Sequence, residues 1–131
     1  MLHPLSMLTA GRGCDIHGTR LGMLDIEELR LREDFLALAQ VDISVNDIRD
    51  EGLKCLVDAL LGLKVQLIVL KAARSNLTAR SGEILKQLLL ECNDLEEIRV
   101  SGNKLGAVGL RALCKGTRDH PNMIALDIRF A

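Results

Sequence analysis

The chain repeats itself. Copies begin at positions 38, 67, 95 and 123, separated by 29, 28 and 28 residues. A unit of that length cannot bury its own apolar face, so it must stack on copies of itself. Leu38, Val41, Ile43, Asn46, Ile48, Gly52, Leu56 and Leu60 set the pattern. Ile98, Val100, Asn103, Leu105, Gly109 and Leu113 stand at the same offsets from Leu95, and Leu70, Ala72, Leu77, Leu85 and Leu89 at those from Leu67. A fourth copy opens with Met123, Leu126 and Ile128.

Each position has a physical reading. Val41 and Ile43, two residues apart, point to one side of a strand. The asparagine that follows can bond backbone groups left unpaired where the chain turns. Stacked copies predict a structural ladder of Asn46, Ser75 and Asn103, with serine in the middle rung. The spacing of Leu53, Leu56, Val57, Leu60 and Leu61 predicts a helix with one apolar stripe, and Asp50, Glu51, Lys54 and Asp58 on the opposite face. Gly52 and Gly109, near the helix starts, are expected to let neighbouring backbones approach. Ser81 takes that position in the middle copy, with Gly82 one residue later.

These spacings resemble the leucine-rich-repeat family, in its ribonuclease-inhibitor-like class of long helical repeats. The resemblance covers 38–131 well and 11–37 loosely, where Cys14, Ile16, Leu21 and Leu29 fit a degenerate first unit. It implies an α/β fold: a right-handed βα solenoid with a parallel concave sheet and convex helices. We expect a single domain over 1–131, with a capping segment 1–37, full repeats 38–66, 67–94 and 95–122, and a partial repeat 123–131.

Composition narrows the function. The balance of 17 basic against 18 acidic residues gives no field for nucleic acid or anionic lipid, and stacking aromatics are missing, with Phe35 and Phe130 the only two. No apolar run approaches the roughly 20 residues needed to span a bilayer. Pro4 and the lack of a basic n-region argue against a secretory signal, while Arg12 and Arg20 leave a mitochondrial presequence open. Cys14, Cys55, Cys92 and Cys114 are scattered without CxxC spacing and read as small buried hydrophobes in a reducing compartment. His3, His17 and His120 lie too far apart for a metal or a catalytic group. We therefore expect no enzyme, no cofactor and no metal, and a cytoplasmic protein, with nuclear or organellar placement left open. The sequon Asn76-Leu77-Thr78 is read as structural.

The family resemblance implies protein binding on the concave sheet and its adjoining loops. Between the buried strand residues, the outward columns read Asp42, Lys71, Arg99, Asp127; then Ser44, Ala73, Ser101, Arg129; then Gln40, Val69, Glu97, Ala125. With Arg74 nearby, the expected binding residues are Asp42, Ser44, Lys71, Ala73, Arg74, Arg99, Ser101, Asp127 and Arg129, a basic centre flanked by acids. At the roughly 4.8 Å strand spacing, Asp42 is expected to face Lys71, and Arg99 to face Asp127. The plainer reading of these charges is surface self-pairing. Two alternatives accompany the interaction module: a structural subunit or fragment of a larger assembly, and a GTPase-activating repeat protein, for which no matched arginine motif is present. The strand near Leu126–Ile128 would be a sheet edge open to an assembly or homodimer contact.

Overall fold

β-Branched and leucine residues at alternating positions, followed by a polar loop and a second apolar stripe at helical spacing, commit each unit to a short strand, a loop and a helix. A computed structural model describes residues 13–15 as backbone, and 40–131. Strands β1 (Gly13–Asp15), β2 (Gln40–Asp42), β3 (Val69–Lys71), β4 (Glu97–Arg99) and β5 (Ala125–Asp127) alternate, from β2 on, with helices α1 (Arg49–Gly62), α2 (Ala79–Glu91) and α3 (Gly106–Arg118).

The strands form one parallel sheet in chain order, β1-β2-β3-β4-β5. Equivalent repeat positions are aligned across it, Cys14 with Val41, Val41 with Leu70, Leu70 with Ile98 and Ile98 with Leu126. Of the loosely placed first unit, only β1 falls among the described residues; Ile16, Leu21 and Leu29 lie outside them. Pairing runs on past the strands: Ile43 N donates to Lys71 O at 2.8 Å and Val45 N to Ala73 O at 2.8 Å.

The aliphatic side of the repeat is the core. Val41, Ile43, Leu70, Ala72, Ile98 and Val100 from the sheet meet Leu53, Leu56, Val57, Leu60, Leu85, Leu89 and Leu113 from the helices, all buried. Burying a leucine or isoleucine side chain contributes roughly 1.5–3 kcal/mol, so this aliphatic ladder dominates the favourable side of folding.

The structure alters two expectations and extends a third. Asp50 is not on the solvent face of α1 but is only 6% exposed, because it points to the next repeat. Gly109 does let a neighbouring backbone approach, its missing Cβ lying 3.0 Å from Ala79 Cα, and a tighter approach is made by Gly82, whose missing Cβ would lie 2.2 Å from Gly109 O. Cys114 is exposed and Cys55 half-buried, so only Cys92 of the described cysteines fits the buried reading. Burial also pushes the Cys92 thiol up from its ordinary pKa. Among the described residues no helix is long and apolar enough to cross a membrane.

Candidate functional site: the concave sheet and its loop rim

The outward residues of parallel strands form rows across the sheet. Register sets Asp42 beside Lys71 and Arg99 beside Asp127. The side chains choose other partners. The Asp42 carboxylate accepts from Ser44 N, just past its own strand, at 3.0 Å. Arg99 turns back along β4 to Glu97, with Nε to Oε2 at 3.1 Å. Arg129 grips Asp127, with Nη2 to Oδ2 and Nε to Oδ1 both at 3.0 Å. That guanidinium holds the Asp127 carboxyl below its usual range, and the carboxylate raises Arg129 in return. Lys71 is half-buried and, among the described residues, makes no ion pair.

The remaining expected binding residues divide. Ser44 is 4% exposed and its hydroxyl accepts from Ala73 N at 2.9 Å, so it is a structural bridge rather than outward surface. Ala73 and Ser101 are half-buried, and the Ser101 carbonyl accepts from Arg74 N at 2.9 Å. Arg74 is exposed.

Behind this row lie the side chains that hold the loops. Asn103 donates from Nδ2 to Ala72 O at 2.9 Å and Val100 O at 2.8 Å, while its Oδ1 accepts from Ser75 N at 2.8 Å and Leu77 N at 3.1 Å. It thus ties its own loop to the preceding one. Asn46 donates to Ile43 O and Ser44 O at 3.0 and 3.1 Å. Ser75, fully buried, donates to Ala73 O at 3.1 Å and lies 3.3 Å from Ile43 O. The sequon residue Asn76 is exposed and donates to Asp47 Oδ1 at 2.8 Å, across the same seam.

The leucine-rich-repeat family model matches residues 38–57 and 91–114. Over 88 residues the chain is 34% identical to a ribonuclease inhibitor of Mus musculus, covering 67% of this chain and 19% of that protein. It is 35% identical over 82 residues to the ribonuclease inhibitor of Sus scrofa, covering 63% of this chain and 18% of that protein. It is also 35% identical over 85 residues to NACHT, LRR and PYD domains-containing protein 4E of Mus musculus, covering 65% of this chain and 9% of that protein.

The chain is built of leucine-rich repeats of the ribonuclease-inhibitor-like class. It spans less than a fifth of the length of these curated relatives.

Two features of this repeat protein escape the spacing argument. The first is a column at the eighth repeat position. Val45, Arg74, Gly102 and Phe130 all adopt left-handed φ, at 56°, 48°, 69° and 56°. Left-handed backbone is unusual for L-residues and an outlier for a β-branched valine. Gly102 is the only sequence sign of it. The second is Asp50, whose carboxylate accepts from Thr78 N at 2.9 Å and from the Thr78 and Ser81 hydroxyls. Those donors open α2 of the following repeat. Burial opposes ionisation most strongly, but the three donors together outweigh it and leave the carboxyl below its ordinary pKa. The signal available in sequence was Thr78 and Ser81, opposite an acid 28 and 31 residues earlier. Among the described residues no cluster of His, Cys, Asp and Glu could hold a metal.

Proposed function

We propose that this chain is a non-catalytic protein-interaction module that engages a protein partner through its concave sheet face, within the cytoplasm. One observation carries the reading. Four successive units bring Asp42, Lys71, Arg99 and Asp127 into one aligned row, in which Lys71 is left without an ion pair among the described residues. A cation held in place by a rigid strand, with its neighbours already matched, is available to a partner's acid at little conformational cost. The relatives named ribonuclease inhibitor act on another protein, which agrees with this class of function.

The test uses a partner captured from lysate, identified by mass spectrometry and then purified. Lys71→Glu combined with Arg99→Glu should weaken its binding at least tenfold and leave the circular dichroism spectrum intact. Lys54→Glu or Lys86→Glu, on the helix face, should change it less than twofold. Equal losses from both faces would remove the concave assignment.

A further inference from the structure

We infer that the loop rim beside the concave sheet is a preformed docking ridge for an extended acidic segment flanked by apolar side chains. This rests on the concave-face reading and names the chemistry of what binds there.

The ridge is the left-handed column Val45, Arg74, Gly102, Phe130. Its members follow the ends of successive strands, and each is fixed by a backbone bond to the residue preceding the next member. Val45 N donates to Ala73 O at 2.8 Å, Arg74 N to Ser101 O at 2.9 Å and Gly102 N to Arg129 O at 3.0 Å. The buried Ser75 and Asn103 side chains hold the same loops from beneath. A surface bound this way does not need to be ordered when a ligand arrives.

Its chemistry is uneven in a useful way. Val45 is 45% exposed and Phe130 91% exposed, so apolar groups stand on either side of the column's centre among the described residues. Between them is Arg74, which together with Lys71 of the same unit makes no ion pair among the described residues. The other concave arginines are already matched, Arg99 by Glu97 and Arg129 by Asp127. Among the described residues, the unpaired cations of the face are therefore concentrated in this one unit. Gly102 explains how Arg74 is directed. A Cβ at that position would lie 2.7 Å from Arg74 Cγ and 3.5 Å from Nε, so the arginine side chain runs over the glycine along the ridge. The glycine is the floor beneath the cation and the gap before Phe130.

Spacing sets the occupant. Strands about 4.8 Å apart put Val45 one step from Arg74, and Phe130 two steps beyond, a span of roughly 14 Å. An extended segment rises about 3.3 Å per residue, so about five residues cross the ridge. The fitting segment carries an apolar residue, an aspartate or glutamate one or two positions on, and a second apolar residue about three positions after that. The carboxylate meets Arg74 and Lys71 as a charge-assisted pair, and the apolar groups cover Val45 and Phe130.

Phage-displayed random dodecapeptides, panned on the intact chain, supply the probe. Enriched peptides should share the apolar–acid–apolar spacing. Binding of a synthetic copy of the strongest peptide should fall at least tenfold with Arg74→Glu and measurably with Val45→Ser or Phe130→Ser. Lys71→Gln is the milder charge variant should Arg74→Glu perturb the fold. Changing the peptide's acid to its amide should reproduce the Arg74→Glu loss. Enrichment of peptides without an acid, binding indifferent to Arg74→Glu, or no enrichment would overturn the ridge. If a protein partner is lost with Lys71→Glu and Arg99→Glu yet ignores the ridge variants, the ridge fails while the concave-face reading stands.

Discussion

Asp50 is a carboxylate enclosed where two repeats meet, and everything it touches belongs to the next unit. Thr78 N, the Thr78 hydroxyl and the Ser81 hydroxyl all donate to it, at the first turn of α2, where a negative charge also complements the helix dipole. Deleting it leaves the buried Ser81 hydroxyl without its acceptor and frees Thr78 N at the start of α2, so Asp50→Ala should destabilise the fold by about 1–3 kcal/mol. Because its folded pKa lies below the ordinary carboxylate value, its contribution is complete above about pH 4 and is lost as pH falls through the lower folded value. Urea midpoints of the parent should therefore drop between pH 5 and 3 more steeply than those of Asp50→Asn. Identical slopes in the two proteins would mean the carboxylate is not held this way. Asn103 makes the contrasting bond set at the next seam: it ties its own loop to the preceding one, as Asp50 ties its helix to the following one, but with no charge to titrate.

Among the elements, the helices show what sequence spacing could and could not reveal. A leucine at a fixed offset must be buried if strands and helices recur with that period, so the apolar stripes, the strand positions and the parallel stacking were legible. What crosses from one repeat to the next was not. Gly52 and Gly109 occupy the same offset, but Gly82, one residue out of phase, is the residue that meets Gly109's backbone. Gly116 deepens the same seam, its missing Cβ lying 3.0 Å from Leu89 Cδ1. Likewise Asp50 looked like helix surface because polarity marks an exposed face only when no neighbouring unit supplies donors. The concave residues were legible as outward columns, but Ser44's burial and the in-strand choices of Arg99 and Arg129 depend on rotamers that spacing does not fix. Gly82→Ala should consequently force α2 away from α3 and cost about 2–3 kcal/mol. Gly62→Ala, where a Cβ meets nothing within 4 Å, should be neutral or stabilising. Thermal melts of the two variants separate the cases, and equal melting would show that the helices pack without this contact.

For the whole molecule, a stack of repeats distributes stability over its neighbour interfaces, so each strand and its partners carry a share of it. Among the described residues β5 pairs only with β4, while Met123, Leu126 and Ile128 pack half-buried against the core. Beside them Ile124 is 77% exposed and Phe130 91%. An edge strand with unpaired backbone groups over an apolar layer templates pairing with another chain. We propose that a second copy can take that place. A two-fold axis would run the two edges antiparallel, and an axis through Ile128 would set Asp127 of one copy against Arg129 of the other. These charges already pair within one chain, so the exchange keeps each matched while burying the isoleucine between them. Sedimentation of the chain over a rising concentration series should show a monomer–dimer equilibrium, and Ile128→Lys should remain monomeric with an unchanged circular dichroism spectrum. Amide exchange across 125–128 should slow as the dimer forms. A parent that stays monomeric at high concentration, with those amides exchanging freely throughout, would sink self-association through this edge.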